Sequence, residues 1–357
     1  MAARNAPPHA FRLGRFSIAW GTSGLVSKLH LMPPGPAGKA PRFRLMLAST
    51  RSTGGRNMQD LDEFTVTDEA LRQMAGTENP RLKEIGDAAV RHLHAFAREI
   101  NLTPEEWLQG IQFLTAVGQA CTPLRQEFIL LADVLGLSAV VNALHDRKAR
   151  ELGSQSSLLG PFFREGAPVL PNGALIVEKP TTEEIVIYGK VLTNDGAPLA
   201  NALIQIWQTS ERGLYDLQER NGESMDMRGN FTTEADGSYY FRTVRPLGYS
   251  IPMDGPVGEM VKLQHRHGFR PSHIHCLIGA DGYRELVTAL YFGDDPNIDS
   301  DTVFGVSQSL VVEAKNDPGS PVPGMRAVHY DFRLAKAAPG ESGRVGADPT
   351  KLMKAAE

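Results

Sequence analysis

Cysteine is nearly absent. Cys121 and Cys276 are the only two in 357 residues, far apart and in segments of different character. They cannot build a disulfide framework, and a chain like this suits a reducing, cytoplasmic setting. They also exclude a cysteine-rich zinc or iron–sulfur site, so any metal would need His, Tyr or carboxylate ligands. Long apolar runs are missing as well. Nothing approaches the ~20 consecutive apolar residues of a membrane helix, and no membrane partner is expected. The net charge of -4 offers no basic surface for nucleic acid. There is no internal repeat and no glycine-rich phosphate loop. Acidic residues are missing from the start of the chain: residues 1–58 hold nine Lys and Arg, and the first acid is Asp60. Pro33-Pro-Gly-Pro and Ser52-Thr-Gly-Gly make this stretch turn-rich and aperiodic. Two readings stand: an Arg-rich transit peptide, or an over-extended start ahead of Met58. Either way residues 1–58 are expected to be a disordered extension outside the fold. A secretory signal is not expected, because the apolar run around Phe16 to Val26 is short and broken by Gly and Ser.

What remains divides in two. From Thr67 to Asp146 the pattern is helical, with Thr67-Asp-Glu-Ala as one start and apolar residues three and four apart from Arg91 to Ile100. Thr103-Pro-Glu-Glu predicts another start: Thr caps, Pro suits the first turn, and two acids face the positive end of the dipole. Arg125 to Leu144 is too apolar for a solvated helix and must pack against the next domain or a second subunit. After Gly153-Ser-Gln-Ser, short β-branched runs alternate with turns. Strands are predicted at Ile185–Leu192, Leu203–Trp207, Ser238–Val244, His273–Ile278, Leu286–Phe292, Leu310–Ala314 and Ala327–Leu334. Asn194-Asp-Gly and Asp236-Gly are hairpin-type turns. The expected fold is mainly β: a helical domain over 59–152, an antiparallel β-sandwich over 153–335, and a disordered tail over 336–357.

Chemistry concentrates in Arg270-Pro-Ser-His273-Ile-His275. Side chains two apart on a strand share a face about 7 Å apart, so the two imidazoles could converge on one ion. Alone, the pair is equally two ordinary strand histidines. Upstream, Gly213-Leu-Tyr215-Asp and Pro246-Leu-Gly-Tyr249-Ser-Ile-Pro252 set tyrosines in loops bracketed by Gly or Pro. Either tyrosine alone could equally pack its ring at a sandwich edge.

The order of these three blocks resembles the intradiol ring-cleaving dioxygenases, the family of catechol, chlorocatechol, hydroxyquinol and protocatechuate dioxygenases. The resemblance runs from about Leu61 to Leu334. It implies one non-haem Fe(III) per subunit, held by Tyr215, Tyr249, His273 and His275. Hard phenolates favour ferric over ferrous iron, and the metal must itself ionise phenols whose unperturbed pKa is about 10. It further implies that Tyr215 and His273 are fixed equatorial ligands and His275 an axial one. Tyr249 is the axial tyrosinate released when a diol chelates iron, and the ring opens with O2 to a cis,cis-muconate. Arg270 falls on the family's arginine beside the substrate, where a fixed cation stabilises carbanion character; on composition alone it could be a surface ion-pair residue.

Three segments resemble the hydroxyquinol (1,2,4-trihydroxybenzene) branch: Arg125 to Gly136, Ile251 to Glu259, and Asp299 to Val306. The pocket lining then falls on Leu130, Asp133, Gly160, Pro161, Phe162, Ile251, Pro252 and Val303, with Leu158 and Leu159 in the same wall. Asp133 could accept a hydrogen bond from the third hydroxyl, which catechol lacks; alternatively it pairs with Arg125 or Arg147. One position departs from the catechol pattern: Ala289 stands where catechol enzymes carry Gln. The resemblance implies a small aromatic diol or triol and O2 as partners, and a homodimer through the helical domain. Three alternatives remain open: catechol or chlorocatechol 1,2-dioxygenase, a non-catalytic β-sandwich binding module, and a zinc hydrolase using the histidine pair.

Overall fold

The computed structural model describes residues 60–122, 125–147, 153–220 and 224–337. The N-terminal extension, and the tail beyond Ala337, lie outside the described residues. In chain order the elements are α1 (Thr65–Gln73), α2 (Pro80–Glu99), α3 (Pro104–Ala120), α4 (Glu127–Val134) and α5 (Leu137–Asp146). Then come β1 (Glu184–Thr193), β2 (Leu203–Gln208), α6 (Asp216–Arg220), β3 (Arg228–Thr232), β4 (Ser238–Val244) and β5 (Tyr249–Ser250). The chain continues with α7 (Pro256–Leu263), β6 (Phe269–Arg270), β7 (His273–Gly279) and β8 (Leu286–Phe292). It closes with β9 (Val311–Val312), β10 (Lys315–Asn316), β11 (Arg326–His329) and β12 (Phe332–Leu334).

Capping chemistry sets the helix starts. Thr103 accepts from the Glu106 amide while Glu106 reaches back to the Thr103 amide, with Pro104 in the first turn. Asn79 caps α2 through the amides of Arg81 and Leu82. The first helix begins at Thr65, two residues before the expected start, because the Asp62 carboxylate already holds the amides of Phe64 and Thr65. The apolar Arg125–Leu144 stretch is two helices, broken at Gly136 in a left-handed conformation (φ 75°). Of the two, α4 is largely buried, whereas α5 exposes Leu137, Val140, Val141 and Leu144. Among the described residues, none of the 20 in α2 is buried. No single helix is long and apolar enough to cross a membrane.

Two five-stranded sheets form the sandwich. One runs β10-β11-β1-β12 with β4 also pairing β1, the other β3-β2-β7-β8-β9; β5 and β6 make a separate pair. Orientation is mixed, which corrects the all-antiparallel expectation. β1 pairs β11 and β12 in parallel, and β8 pairs β9 in parallel. Parallel neighbours need long connections, and these pairs are formed by strands far apart or joined through an extended loop. The turns at Asn194-Asp-Gly and Asp236-Gly are tight reversals as expected: Leu192 bridges Pro198 in antiparallel register, and the Glu234 amide donates to the Ser238 carbonyl. They carry the chain between sheets, from β1 to β2 and from β3 to β4.

The predicted Ala327–Leu334 strand divides, because Asp331 uses its side chain to take the Lys190 amide. The expected Leu310–Ala314 strand shrinks to Val311–Val312 behind a short 3-10 turn. Short β3 was not foreseen: Arg-Gly-Asn-Phe-Thr has weak strand propensity and is held by pairing with β2. Alternation on the second sheet positions the site. Ile274, Cys276 and Ile278 of β7 enter the core between the sheets with Ile187, Phe241 and Phe332. His273, His275 and Leu277 therefore point to the opposite face, which α4, α7 and the connecting loops cover.

Candidate active site

Four rings meet on that outer face. His275 lies opposite Trp207 on β2 and Ala289 on β8, and His273 lies opposite Tyr291. The Trp207 indole stacks flat on the His275 imidazole, centroids 4.8 Å apart and planes 4° apart. Tyr249 is the cross-strand partner of Arg270 in the β5–β6 pair. Tyr215 stands just before α6, its amide donating to Gln218 at 2.9 Å. The following residue, Asp216, is clamped by buried Arg228 and by Arg164, which fixes the loop. Two glycines let the tyrosine loops meet. A Cβ at Gly213 would lie 2.9 Å from the Gly248 carbonyl, and one at Gly248 would lie 2.7 Å from the Arg270 carbonyl. Ring centroids are 5.3 Å apart for Tyr215 and Tyr249, 5.8 Å for Tyr249 and His273, 4.6 Å for the two histidines, and 6.5 Å for Tyr215 and His275. All four residues are at most 4% exposed.

These groups could hold a metal. Burial, reinforced by Arg270, pulls the His273 pKa down to about 3, and burial with His273 pulls His275 well below its ordinary value. Both imidazoles are therefore neutral, as ligands must be. His273 Nδ1 lies 2.6 Å from the Pro271 carbonyl, so it carries the proton and leaves Nε2 as an unprotonated lone pair, with Arg270 Nη1 3.2 Å away. That Nε2 lies 3.1 Å from His275 Nε2. The buried Tyr215 hydroxyl has no well-formed hydrogen bond, although Tyr249 is its neighbour. Burial raises the pKa of both tyrosines, so each needs a cation to ionise. Two lone pairs and an orphaned buried phenol facing one point suit a hard trivalent cation with mixed N and O ligands. Among the described residues no group of three or more His, Cys, Asp and Glu is placed to hold a metal. The ligands that would complete a zinc hydrolase site are therefore missing from the described residues, and tyrosines stand beside the pair instead.

The expected pocket residues converge here. Leu130, Leu158, Phe162, Ile251 and Val303 share one buried cluster with Tyr215 and Tyr249, and Leu159 packs against it. Phe162 stacks on Tyr215 at 4.5 Å. A Cβ at Gly160 would sit 3.6 Å from His275 Nε2. Pro161 and Pro252 are half-buried beside Phe162 and Ile251. Asp133 is buried without Arg125, which pairs instead with Glu127 and Asp254. Burial pushes its carboxyl up to about 6, and it feels the charges of Arg270 and Asp301. Arg270 is 2% exposed, which excludes the surface ion-pair reading, and its Nη1 lies 3.2 Å from His273 Nε2.

Sequence reasoning missed Trp207, Asp301, Tyr291 and Ser157. Tyr291 could have been found from alternation with Ala289 on one strand face. Asp301 gave no local signal. A groove of about 680 Å³ lined by His265, Arg266, His267, Thr302 and Phe304 reaches Asp301 but touches none of the four rings.

Comparison with known proteins places the chain in a family. A family described as "Dioxygenase" matches residues 158–336, and one described as "Catechol dioxygenase N terminus" matches residues 79–153. The chain is 43% identical over 244 residues to a hydroxyquinol 1,2-dioxygenase from Rhizobium sp., covering 68% of this chain and 82% of that one. It is 44% identical over 254 residues to a 6-chlorohydroxyquinol 1,2-dioxygenase from Cupriavidus pinatubonensis, covering 71% and 92%. The solved structure of a hydroxyquinol 1,2-dioxygenase from Pseudomonas putida superposes with a TM-score of 0.69 at 40% identity, over 77% of this chain and 98% of that one. Fold and relatives together define an enzyme, a dioxygenase that opens aromatic rings. Within that class the chain belongs to the intradiol ring-cleaving dioxygenases.

Proposed function

We propose that the protein is a ferric intradiol dioxygenase that opens hydroxyquinol with O2 to 3-hydroxy-cis,cis-muconate, the enol form of maleylacetate. The convergence of Tyr215, Tyr249, His273 and His275 at one buried point carries the reading. These four residues would hold one Fe(III) per subunit. Bound there, ferric iron would supply a redox-active Lewis acid that draws electron density from a chelated diol and makes its ring reactive toward O2. Identity of 38% to 44% with enzymes named for hydroxyquinol or its chloro derivative supports the substrate. Ala289 in place of the catechol-type Gln argues in the same direction.

The chain's own groups have separate tasks. Tyr249 Oη, with Arg270 as its hydrogen-bonding neighbour, is placed to take a proton from an incoming diol. Arg270 Nη1, a fixed cation in a dry site, would stabilise negative charge developing on the ring. Trp207 and Phe162 exclude water and hold the His275 and Tyr215 rings by stacking. Leu130, Gly160, Pro161, Ile251, Pro252 and Val303 would wall the ring in. Asp133, charged above about pH 6, would accept a hydrogen bond from the third hydroxyl. Both cysteines are unpaired, in keeping with a cytoplasmic enzyme.

A homodimer through the helices is part of this reading, supported by the exposed Leu82, Ile85, Leu93, Phe96 and Ile100 on and just after α2. The deciding experiment measures iron content, visible absorption, and oxygen uptake with hydroxyquinol, catechol and 4-chlorocatechol. One iron per subunit, a broad visible band and fastest uptake with hydroxyquinol are expected. A colourless protein inert toward all three would be a binding module; fastest uptake with catechol would overturn the substrate alone.

A further inference from the structure

Arg270 is held from behind by a closed circuit of hydrogen bonds. Its Nε donates to Asp301 Oδ1 at 3.1 Å, and its Nη2 to Asp301 Oδ2 at 3.2 Å and to Tyr291 Oη at 3.1 Å. Ser157 Oγ donates to the Gly305 carbonyl at 3.0 Å, so its one proton is committed. The 2.8 Å contact between Ser157 and Tyr291 must then use the tyrosine proton. The Gly305 amide closes the ring by donating to Asp301 Oδ2 at 3.0 Å. Gly305 sits where a side chain would break this ring: a Cβ there would lie 2.5 Å from Tyr291 Oη and 2.9 Å from Arg270 Nη2.

Two consequences follow from the proton pattern. Three of the five N–H groups of Arg270 are held from behind, and the other two are both on Nη1, which lies 3.2 Å from His273 Nε2. Tyr291, though its ring lies 5.3 Å from His273, has its proton given to Ser157 and its lone pair to Arg270, so it stays a neutral phenol. Asp301 does more than hold Arg270. Its carboxylate also accepts the amide of Val303 at 3.3 Å, so the same group folds the Asp301–Gly305 turn that buries Val303 against Leu130 and Ile251.

We infer that Asp301 is a positioning residue that aims Arg270 Nη1 at the reacting ring and, through the turn it folds, sets the pocket wall at Val303. This rests on the proposed ferric reaction. Tyr291 shares the first task only, because it touches Arg270 and not the turn's amides.

The test is a set of single and double variants of the iron-loaded enzyme. Tyr291→Phe should lower kcat with hydroxyquinol by roughly 10-fold while KM stays within about threefold. Asp301→Asn should lower kcat by roughly 10- to 100-fold and also raise KM, because the Val303 wall loosens. In an Arg270→Ala background, Asp301→Asn should cost kcat nothing further, which a general structural role would not produce. Iron content and the visible band should be unchanged in every variant, and anaerobic hydroxyquinol titration of that band should reproduce the KM pattern. Additive losses in the double variant, or iron lost with Asp301→Asn, overturn the inference while leaving the ferric reading intact. Should Asp301→Asn not fold, Tyr291→Phe decides: an unchanged kcat sinks the clamp. A wild type with neither visible band nor ring opening sinks both.

Discussion

The second sheet and the second helix treat apolar side chains in opposite ways. Every side chain of β8, and all of β7 but Gly279, is buried, one face in the sandwich core and the other against the site. In α2, with Leu82, Leu93 and Phe96 spaced as one stripe, no residue is buried. One region is finished by its own chain, and the other presents a surface suited to a second copy. On the proposed reading, chemistry and assembly use separate parts of the molecule and should be separable by mutation.

The sharpest break is at the site on the second sheet's outer face. Tyr215→Phe removes a proposed ligand oxygen, so iron retention and the visible band should be lost. Turnover should fall by more than the ~100-fold typical of an outer-shell partner. Light scattering should still report the wild-type assembly; a monomer would show that site and interface are not separate. The mirror experiment is Leu93→Asp with Phe96→Asp. Each apolar side chain is worth about 1.5–3 kcal/mol when covered, so a dimer held by this stripe should weaken by roughly 100-fold or more. Iron content per chain should not change, and an unaltered sedimentation profile would remove α2 from the interface.

A smaller effect is expected at Asp133, on the largely buried helix α4. Asp133→Ala should lower kcat/KM for hydroxyquinol by roughly 10- to 150-fold and leave catechol little affected. Because its carboxyl titrates near 6, the hydroxyquinol-to-catechol ratio should climb as pH rises through about 6 and lie flat in Asp133→Asn. The stability sign is opposite. A folded pKa raised above 3.8 favours folding while the group is protonated, and that contribution is lost as pH rises through about 6. Asp133→Asn should therefore melt no lower than wild type at neutral pH. The smallest effect belongs to the extension: removing residues 1–57 should change turnover and melting by less than about twofold and a few degrees. A truncated chain that fails to fold would give that segment a structural task.

How much of this was legible in the sequence depended on whether a signal was local. Thr103 and Glu106 announce a helix start because both halves of the box lie within one turn. His273 and His275 announce a shared face because a strand alternates. Parallel pairing of β1 with β11 and β12 joins residues more than 130 positions apart in sequence, and no turn chemistry marks it. The reversal at Asn194-Asp-Gly is local and was legible, since Leu192 pairs antiparallel with Pro198 across it; that the chain then continues into the other sheet is not marked by any turn residue. Within the site, the four rings were readable through motif order. The Asp301 circuit was not, since its members come from four separate segments and each is unremarkable alone.

The flat stack of Trp207 on His275 gives the protein a built-in optical gauge. Of the three tryptophans in the chain, Trp107 is 57% exposed on α3 and Trp207 is 2% exposed against the imidazole, so their emission falls at different wavelengths. An indole in contact with a ligand of a coloured ferric centre should be quenched when the metal enters, while Trp107 keeps its emission. In the chain lacking residues 1–57, which removes Trp20, the ratio of blue to red fluorescence would then read metal occupancy directly, without substrate and without turnover.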